Sequence, residues 1–287
     1  MDRPQGPGDT RSRPGARVRG RLVLPDGNRL VFDVGEDDNK GDIWIRDFAR
    51  GTTTRFTFEP EPEFGPIWSP DGKRIAYTVQ RKRMELYWKD AAGTGEPEVL
   101  LESDEDKFIT DWSRDGTIIV FASRGERNWD LWAMRLTGDR KPFPLRRTQF
   151  VDVNGSLSPD GRFLAFQSNE SGRHEIYVQE FPEARSKWQV STSGGREPSW
   201  RKDGRELYYR SADARLMAVP VETGASFTAG TPQPLFQARF APVIARSLYR
   251  PSPDGQRFLV TAVGSGDVTP PAVVVLNWAA ALESASR

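Results

Sequence analysis

Six Asp-Gly dipeptides recur along this sequence of 287 residues at a nearly constant spacing. Successive aspartates are separated by 45, 44, 45, 43 and 51 residues. They are Asp26, Asp71, Asp115, Asp160, Asp203 and Asp254. Because a repeat near 45 residues matches the length of one four-stranded propeller blade, the spacing predicts an all-β chain that forms a six-bladed β-propeller of antiparallel blades.

The residues around each Asp-Gly dipeptide are typical of a tight hairpin turn. Three of the six read Ser-Pro-Asp-Gly, at 69–72, 158–161 and 252–255. Proline presets φ for the second position of a type I turn, aspartate suits the third, and glycine accepts the positive φ that follows. We therefore interpret the six aspartates as turn-forming residues, one in each blade, and not as a shared carboxylate site.

Further apolar segments predict the other strands of each blade. An apolar triplet begins four residues after each aspartate, as at 75–77, and predicts a strand buried on both faces. Third strands are predicted at 42–45, 85–88, 130–133, 175–178, 215–218 and 273–276, and fourth strands at 55–58, 98–101, 143–146, 188–191 and 234–237.

The sixth blade is predicted to be incomplete, because no convincing fourth strand follows 273–276. An unpaired sheet edge exposes main-chain hydrogen-bonding groups. We expect a strand from upstream of Arg17, a strand from residues outside this sequence, or a blade of three strands.

Composition and charge exclude several function classes. The chain has 41 basic and 40 acidic residues, so we expect no nucleic-acid partner. It has no cysteine, no apolar run of membrane-spanning length and no signal peptide, and we predict a cytoplasmic location. The predicted organisation is a disordered lead or linker over 1–17, the propeller over 18–278, and a short tail or helix over 279–287.

The pattern Trp-Ser-Pro-Asp-Gly at 68–72, with Arg-Ile-Ala-Tyr at 74–77 and Glu-Leu-Tyr at 85–87, resembles the TolB-like propeller repeats. These repeats are relatives of the WD repeats and also occur in Tricorn and in relatives of prolyl oligopeptidase. Segments such as 42–47 and 275–278 are similar to the C-terminal propeller behind acidobacterial-type serine/threonine kinase domains. That resemblance implies a sensor segment in an extracytoplasmic location. It implies no kinase activity for this sequence, which contains no kinase domain.

A search for catalytic chemistry finds little. His174 is the single histidine, and we interpret it as a loop or blade-edge residue. No Gly-x-Ser-x-Gly elbow occurs, so we predict no catalytic residue, no enzyme activity and no cofactor. The acidic loop with Asp37, Asp38 and Asp42 offers oxygen ligands for calcium, but it lacks the spacing of a calcium loop, and solvated charge is the default interpretation.

A binding surface on a propeller is expected at a mouth of the central channel, where loops from all blades converge. The chain enters the innermost strand of each blade at the residues six and seven positions before the turn aspartate. We expect these residues to lie at that mouth of the channel. Our candidates for contact with a protein or peptide are Phe64, Phe108, Arg196 and Glu197, since exposed aromatics and arginine make effective anchors. The alternative is that both phenylalanines plug the channel or pack between blades.

Two function classes remain. The first is a non-catalytic protein- or peptide-binding scaffold, including the sensor segment of a receptor-like kinase. The second is the substrate-gating propeller of a peptidase whose catalytic domain is absent from this sequence.

Overall fold

The computed structural model describes residues 17–18, 27–37, 40–102, 104–238, 240, 248–252, 254–261 and 273–277. Within these residues, no helix is long and apolar enough to cross a membrane. The strands form six separate antiparallel sheets, which we number as blades 1 to 6 in chain order. The predicted all-β propeller architecture is confirmed.

Within blades 1 to 3 the strands follow one another in sequence order. Blade 1 contains β1 (Arg17–Val18), β2 (Arg29–Asp37), β3 (Lys40–Asp47) and β4 (Thr52–Arg55). Blade 2 contains β5 (Glu63–Trp68), β6 (Arg74–Gln80), β7 (Met84–Asp90) and β8 (Glu98–Leu101). Blade 3 contains β9 (Asp106–Trp112), β10 (Ile118–Arg124), β11 (Trp129–Arg135) and β12 (Pro142–Arg146).

The second half of the ring repeats this arrangement with two variations. Blade 4 contains β13 (Asp152–Leu157), β14 (Phe163–Ser168), β15 (Glu175–Glu180) and β16 (Lys187–Gln189). Blade 5 contains β17 (Gly195–Trp200), β18 (Glu206–Ser211), β19 (Arg215–Thr223), β20 (Phe227–Ala229) and β21 (Gln233–Gln237). Blade 6 contains β22 (Tyr249–Pro251), β23 (Arg257–Thr261) and β24 (Val273–Asn277).

Hydrophobic clusters fill every seam between neighbouring blades. β14, the second strand of blade 4, is buried along its whole length, because a neighbouring blade covers each of its faces. Leu30 of β2 packs with Leu259 of β23, and Phe32 packs against them, so blade 1 meets blade 6. Since a fully buried leucine or phenylalanine contributes about 1.5–3 kcal/mol, seam packing is the main source of stability for the ring.

The Asp-Gly turns have the predicted geometry in all five turns that the structure describes. The glycine N–H donates to the carbonyl of the residue three positions earlier at 2.9 Å in each case, as from Gly72 to Ser69. Every glycine of the six dipeptides has φ between 70° and 78°. Asp26 of the first turn lies outside the described residues.

Some strand predictions need correction. The fourth strand of blade 1 is Thr52–Arg55 and not 55–58. After Arg55 the regular ladder ends, because the N–H groups of Phe56 and Thr57 both donate to the Ile43 carbonyl, at 2.7 and 3.4 Å. β20 was not predicted; it forms a hairpin with the extended end of β19.

β1 begins at Arg17, the last residue of the predicted lead. In the part of blade 6 that the structure describes there are three strands, and the predicted tail over 279–287 lies outside the described residues.

Candidate functional site

The innermost strands of blades 2, 4 and 5 share an irregularity at one repeat position. Gly65, Asn154 and Glu197 each lie six residues before their turn aspartate and have φ of 62°, 54° and 58°. Each begins a bulge at which the register of the inner strand shifts against the second strand. A positive φ is natural for glycine but unfavourable by roughly 1–2 kcal/mol for other residues. Bulges change the direction in which the neighbouring side chains point.

Glu197 links three blades. Its N–H donates to Oε1 of Gln167 on blade 4 at 3.3 Å, and its carboxylate accepts from Arg210 at 2.7 Å. The same carboxylate accepts the N–H of Leu248 on blade 6 at 2.9 Å, and the Tyr249 hydroxyl donates to the Glu197 carbonyl at 2.7 Å. These contacts hold a strained residue that is only 3% exposed.

A small polar cavity lies between the inner strands of four blades. Its volume is about 10 Å³, and it is lined by Thr110, Asn154, Gly155, Ser156, Glu197, Pro198 and Arg250. Oδ1 of Asn154 and Nε of Arg250 face no hydrogen-bond partner among the described residues. A space of this size holds about one water molecule.

The turn end of the channel is narrowed by contacts between turns of different blades. Arg114 of blade 3 donates to the Lys202 carbonyl of blade 5 at 2.6 Å. A Cβ at Gly204 would lie 3.7 Å from Pro159, which belongs to the turn of blade 4. We call the opposite end, where chains enter β9, β13 and β17, the loop end.

The carboxylates of the turn aspartates accept hydrogen bonds from groups of their own turns. Asp71 accepts the Ser69 hydroxyl at 2.6 Å and the Lys73 N–H at 3.1 Å. Asp115, Asp160 and Asp254 repeat this arrangement, whereas Asp203 accepts two hydrogen bonds from Arg201. The serine hydroxyl lowers the pKa of Asp71, Asp115 and Asp254 below the usual range.

The four candidates for the channel mouth lie in different environments. Arg196 is exposed at the loop end and Phe64 is half-buried in β5. Phe108 is buried in the seam between blades 3 and 4, with its ring centroid 4.9 Å from that of Trp129. Glu197 is buried in the network described above. Of the four candidates, Arg196 is therefore exposed to solvent, whereas Phe108 and Glu197 are buried.

The calcium candidates do not assemble in the described part of the chain, where no group of three acidic or histidine side chains is placed to hold a metal ion. Asp42 pairs with Arg55 at 2.8 Å. The Asp38 position and the Asp37 side chain lie outside what the structure describes.

His174 is half-buried at the loop end of blade 4. Burial, together with the nearby Arg196, lowers the pKa of its imidazole. Nδ1 of His174 has no hydrogen-bond partner among the described residues.

A buried acid outside the predicted set lies between blades 1 and 2. Glu63 is 1% exposed, and neither carboxylate oxygen has a hydrogen-bond partner in the described region. Burial raises the pKa of Glu63 to about 9, and nearby Glu59 and Asp42 add to the shift. Glu63 is therefore neutral at pH 7.

Comparison with protein families decides the assignment of the fold. The model of the TolB beta propeller domain matches residues 60–228, more than half of the chain. The chain belongs to the TolB beta propeller family. Among curated proteins, this TolB-type propeller is 26% identical over 167 residues to the uncharacterized peptidase YuxL of Bacillus subtilis, covering 54% of the chain but only 23% of YuxL.

Solved structures show the same fold. TolB from Acinetobacter baumannii aligns with a TM-score of 0.66 and 19% identity, over 85% of this chain and 60% of that one. A structure from a study of two prolyl endopeptidases aligns with a TM-score of 0.57 and 16% identity, over 86% of this chain and 39% of that one. This TolB-type propeller thus spans less than two thirds of each of these relatives.

Proposed function

We propose that this chain is a non-catalytic propeller that binds a protein or peptide at the loop end of its channel. The observation that carries the proposal is the convergence of polar groups from four blades around the bulges of Asn154 and Glu197. Propellers present binding groups where loops from several blades meet. Arg196 is exposed at this end, and its guanidinium offers N–H donors that suit the C=O groups of a peptide main chain.

The chemistry of the described residues supports binding without catalysis. A nucleophile and its base must lie within hydrogen-bond reach of each other. His174 offers an Nδ1 atom without a partner, and the repeated serines of the turns donate to the aspartates of the same turns. We infer that hydrolysis and phosphoryl transfer are absent from the propeller itself.

The biological setting that we propose is a sensor segment. The resemblance of segments 42–47 and 275–278 to kinase-associated propellers favours a receptor-like serine/threonine kinase as the larger protein. In that setting the propeller is extracytoplasmic. Finding a kinase catalytic loop in the upstream reading frame tests this part of the proposal.

A second candidate function is the accessory propeller of a peptidase. The match to YuxL, a protein named as a peptidase, favours it. For a substrate that passes along the channel, the contact between Arg114 and the Lys202 carbonyl at 2.6 Å narrows the passage at the turn end. A serine hydrolase domain in the downstream reading frame supports this candidate over the first.

Selection from a random peptide library displayed on phage tests binding directly. The propeller is immobilised, retained phage are sequenced, and the selection is repeated with the variant Arg196→Gln at the loop end and with Lys202→Gln at the turn end. We expect enriched sequences that the Arg196 variant retains poorly and the Lys202 variant retains normally. An unenriched library contradicts the binding proposal, and peptide or ester hydrolysis by the purified propeller contradicts the non-enzyme part.

A further inference from the structure

An open polar cavity of about 290 Å³ lies at the loop end of blade 4. Its walls come from the loop between β14 and β15, the start of β15, and the chain at and after the end of β16. They are formed by Ser171, Gly172, Arg173, Glu175, Gln189 and Thr192. The N–H of Gly194 donates to Oε1 of Glu175 at 2.9 Å, and Arg196 follows two residues later. The chain therefore connects the cavity wall to the exposed Arg196 within two residues.

Glu175 holds the walls of this cavity in place. It is 1% exposed, and it accepts the Ser191 hydroxyl at 2.5 Å and the Arg173 Nε–H at 2.7 Å, in addition to the N–H of Gly194. Arg173 also donates from Nη2 to the Thr192 carbonyl. These contacts fix the orientation of the guanidinium, and because the carboxylate and the guanidinium form an ion pair, their charges balance.

The equivalent position of blade 3 is closed by its own side chain. Asn128 stands 45 residues before Arg173, and its Nδ2 donates to the carbonyls of Thr148 and Phe150, at 3.1 and 2.7 Å. An amide nitrogen has two N–H donors, so both are used there. A guanidinium has five, and Arg173 uses two of them, on Glu175 and Thr192. Arg173 thus keeps N–H donors for a ligand that Asn128 does not offer.

The remaining groups of the cavity wall determine which ligand fits. The Gln189 amide donates from Nε2 to the Ser191 carbonyl at 2.8 Å, which orients its Oε1 as an acceptor, and the Thr192 hydroxyl can donate or accept. A cavity near 300 Å³ is at the lower limit for small-molecule pockets, so it suits one side chain better than an oligosaccharide. A charged side chain loses water here without meeting an unpaired charge, whereas a carboxamide offers both a donor and an acceptor.

We propose that the cavity on blade 4 binds a carboxamide side chain, glutamine or asparagine, of the peptide ligand. This inference rests on the proposed function, since it names the side chain that accompanies main-chain contact with Arg196. The carboxamide oxygen accepts from the guanidinium of Arg173, and the carboxamide N–H groups donate to Gln189 Oε1 and to the Thr192 hydroxyl.

Three capped amino acids with the same main chain test the chemistry of the cavity. They are N-acetylglutamine amide, N-acetylglutamic acid α-amide and N-acetylnorvaline amide, which present a carboxamide, a carboxylate and an apolar side chain. We expect the glutamine probe to give saturable shifts of the main-chain NMR signals of Gly172 and Thr192, and the other two to give weaker ones. Equal responses to all three, or no response to the glutamine probe, overturn the proposal. A stronger response to methyl α-glucopyranoside assigns the cavity to a sugar and overturns it as well.

Thr192→Val locates the binding on the cavity wall. It replaces an exposed hydroxyl with a methyl group of similar size, and it is expected to weaken binding of the glutamine probe by about threefold to tenfold, the loss of one hydrogen bond. Thr228→Val is the matched control, at an exposed threonine of β20 in blade 5. Equal affinity of Thr192→Val and the wild type contradicts the assigned contact. Phage retention that depends on Arg196 but shows no preference for glutamine or asparagine leaves the proposed function standing and overturns this inference alone.

Discussion

The hydroxyl of Tyr249 on blade 6 donates a hydrogen bond of 2.7 Å to the main-chain carbonyl of Glu197 on blade 5. Tyr249 is 1% exposed, so water does not replace this bond when it is lost. The contact fixes the strained bulge of Glu197 and connects the last two blades.

Tyr249→Phe is therefore expected to lower the free energy of unfolding by about 1–3 kcal/mol, because it leaves a buried carbonyl without a donor. Urea denaturation measures the loss. Tyr87→Phe serves as the control, since the Tyr87 hydroxyl makes only a 3.3 Å contact with Glu85. Equal stability of Tyr249→Phe and the wild type refutes the linking role.

Gly72→Val tests the turn geometry. Gly72 has φ of 70°, which a β-branched residue adopts only with strain, so we expect a loss of roughly 1–3 kcal/mol. The comparison is Gly224→Val, at a glycine without positive φ where an added Cβ would meet no atom within 4 Å. Thermal melts in which the two variants behave alike show that the turn was misinterpreted.

Ala214→Gly is expected to stabilise the protein. Ala214 has φ of 62° in the turn between β18 and β19, and glycine relieves this strain for a net gain of about 0.5 kcal/mol. Ala212→Gly in the same turn has no such strain to relieve and is expected to destabilise slightly. A melting temperature that falls in both variants rules out the expected relief of strain.

Glu63 makes stability depend on pH. Its pKa is raised in the folded state from an ordinary value of 4.5 to about 9, so its contribution is fully present below pH 4.5 and is lost as pH rises toward 9. Glu63→Gln remains neutral throughout this range. Its advantage in melting temperature over the wild type is expected to grow from about pH 5 to about pH 9.

Glu61→Gln is the matched control for this pH dependence, because Glu61 lies two residues away, is partly exposed and faces Arg81 at 3.7 Å. A constant difference between Glu63→Gln and the wild type across the pH range contradicts the raised pKa.

The repeat of Asp-Gly turns was enough to predict the architecture, because glycine at positive φ and apolar strand segments are local signals. The third-strand predictions overlap β3, β7, β11, β15, β19 and β24. β20 was missed because a strand of three residues, Phe227–Ala229, carries too little pattern to separate it from a loop.

The environment of the channel-mouth residues was less predictable. In a regular strand, successive side chains point to opposite faces of the sheet. A bulge adds one residue to the inner strand, so this alternation does not predict the faces on which the side chains before and after the bulge lie. Phe108 was expected at the mouth, and the structure places it against Trp129. Gly65 signals the bulge in the sequence, whereas Asn154 and Glu197 adopt the same φ without a glycine.

The central claim is that ligand meets the loop end of the channel and not the turn end. A labelled peptide recovered from the phage selection measures this by fluorescence anisotropy against the wild type, Arg196→Gln and Lys202→Gln. We predict that Arg196→Gln weakens binding by about tenfold or more and that Lys202→Gln leaves it unchanged. Binding that is lost with Lys202→Gln and kept with Arg196→Gln contradicts the account.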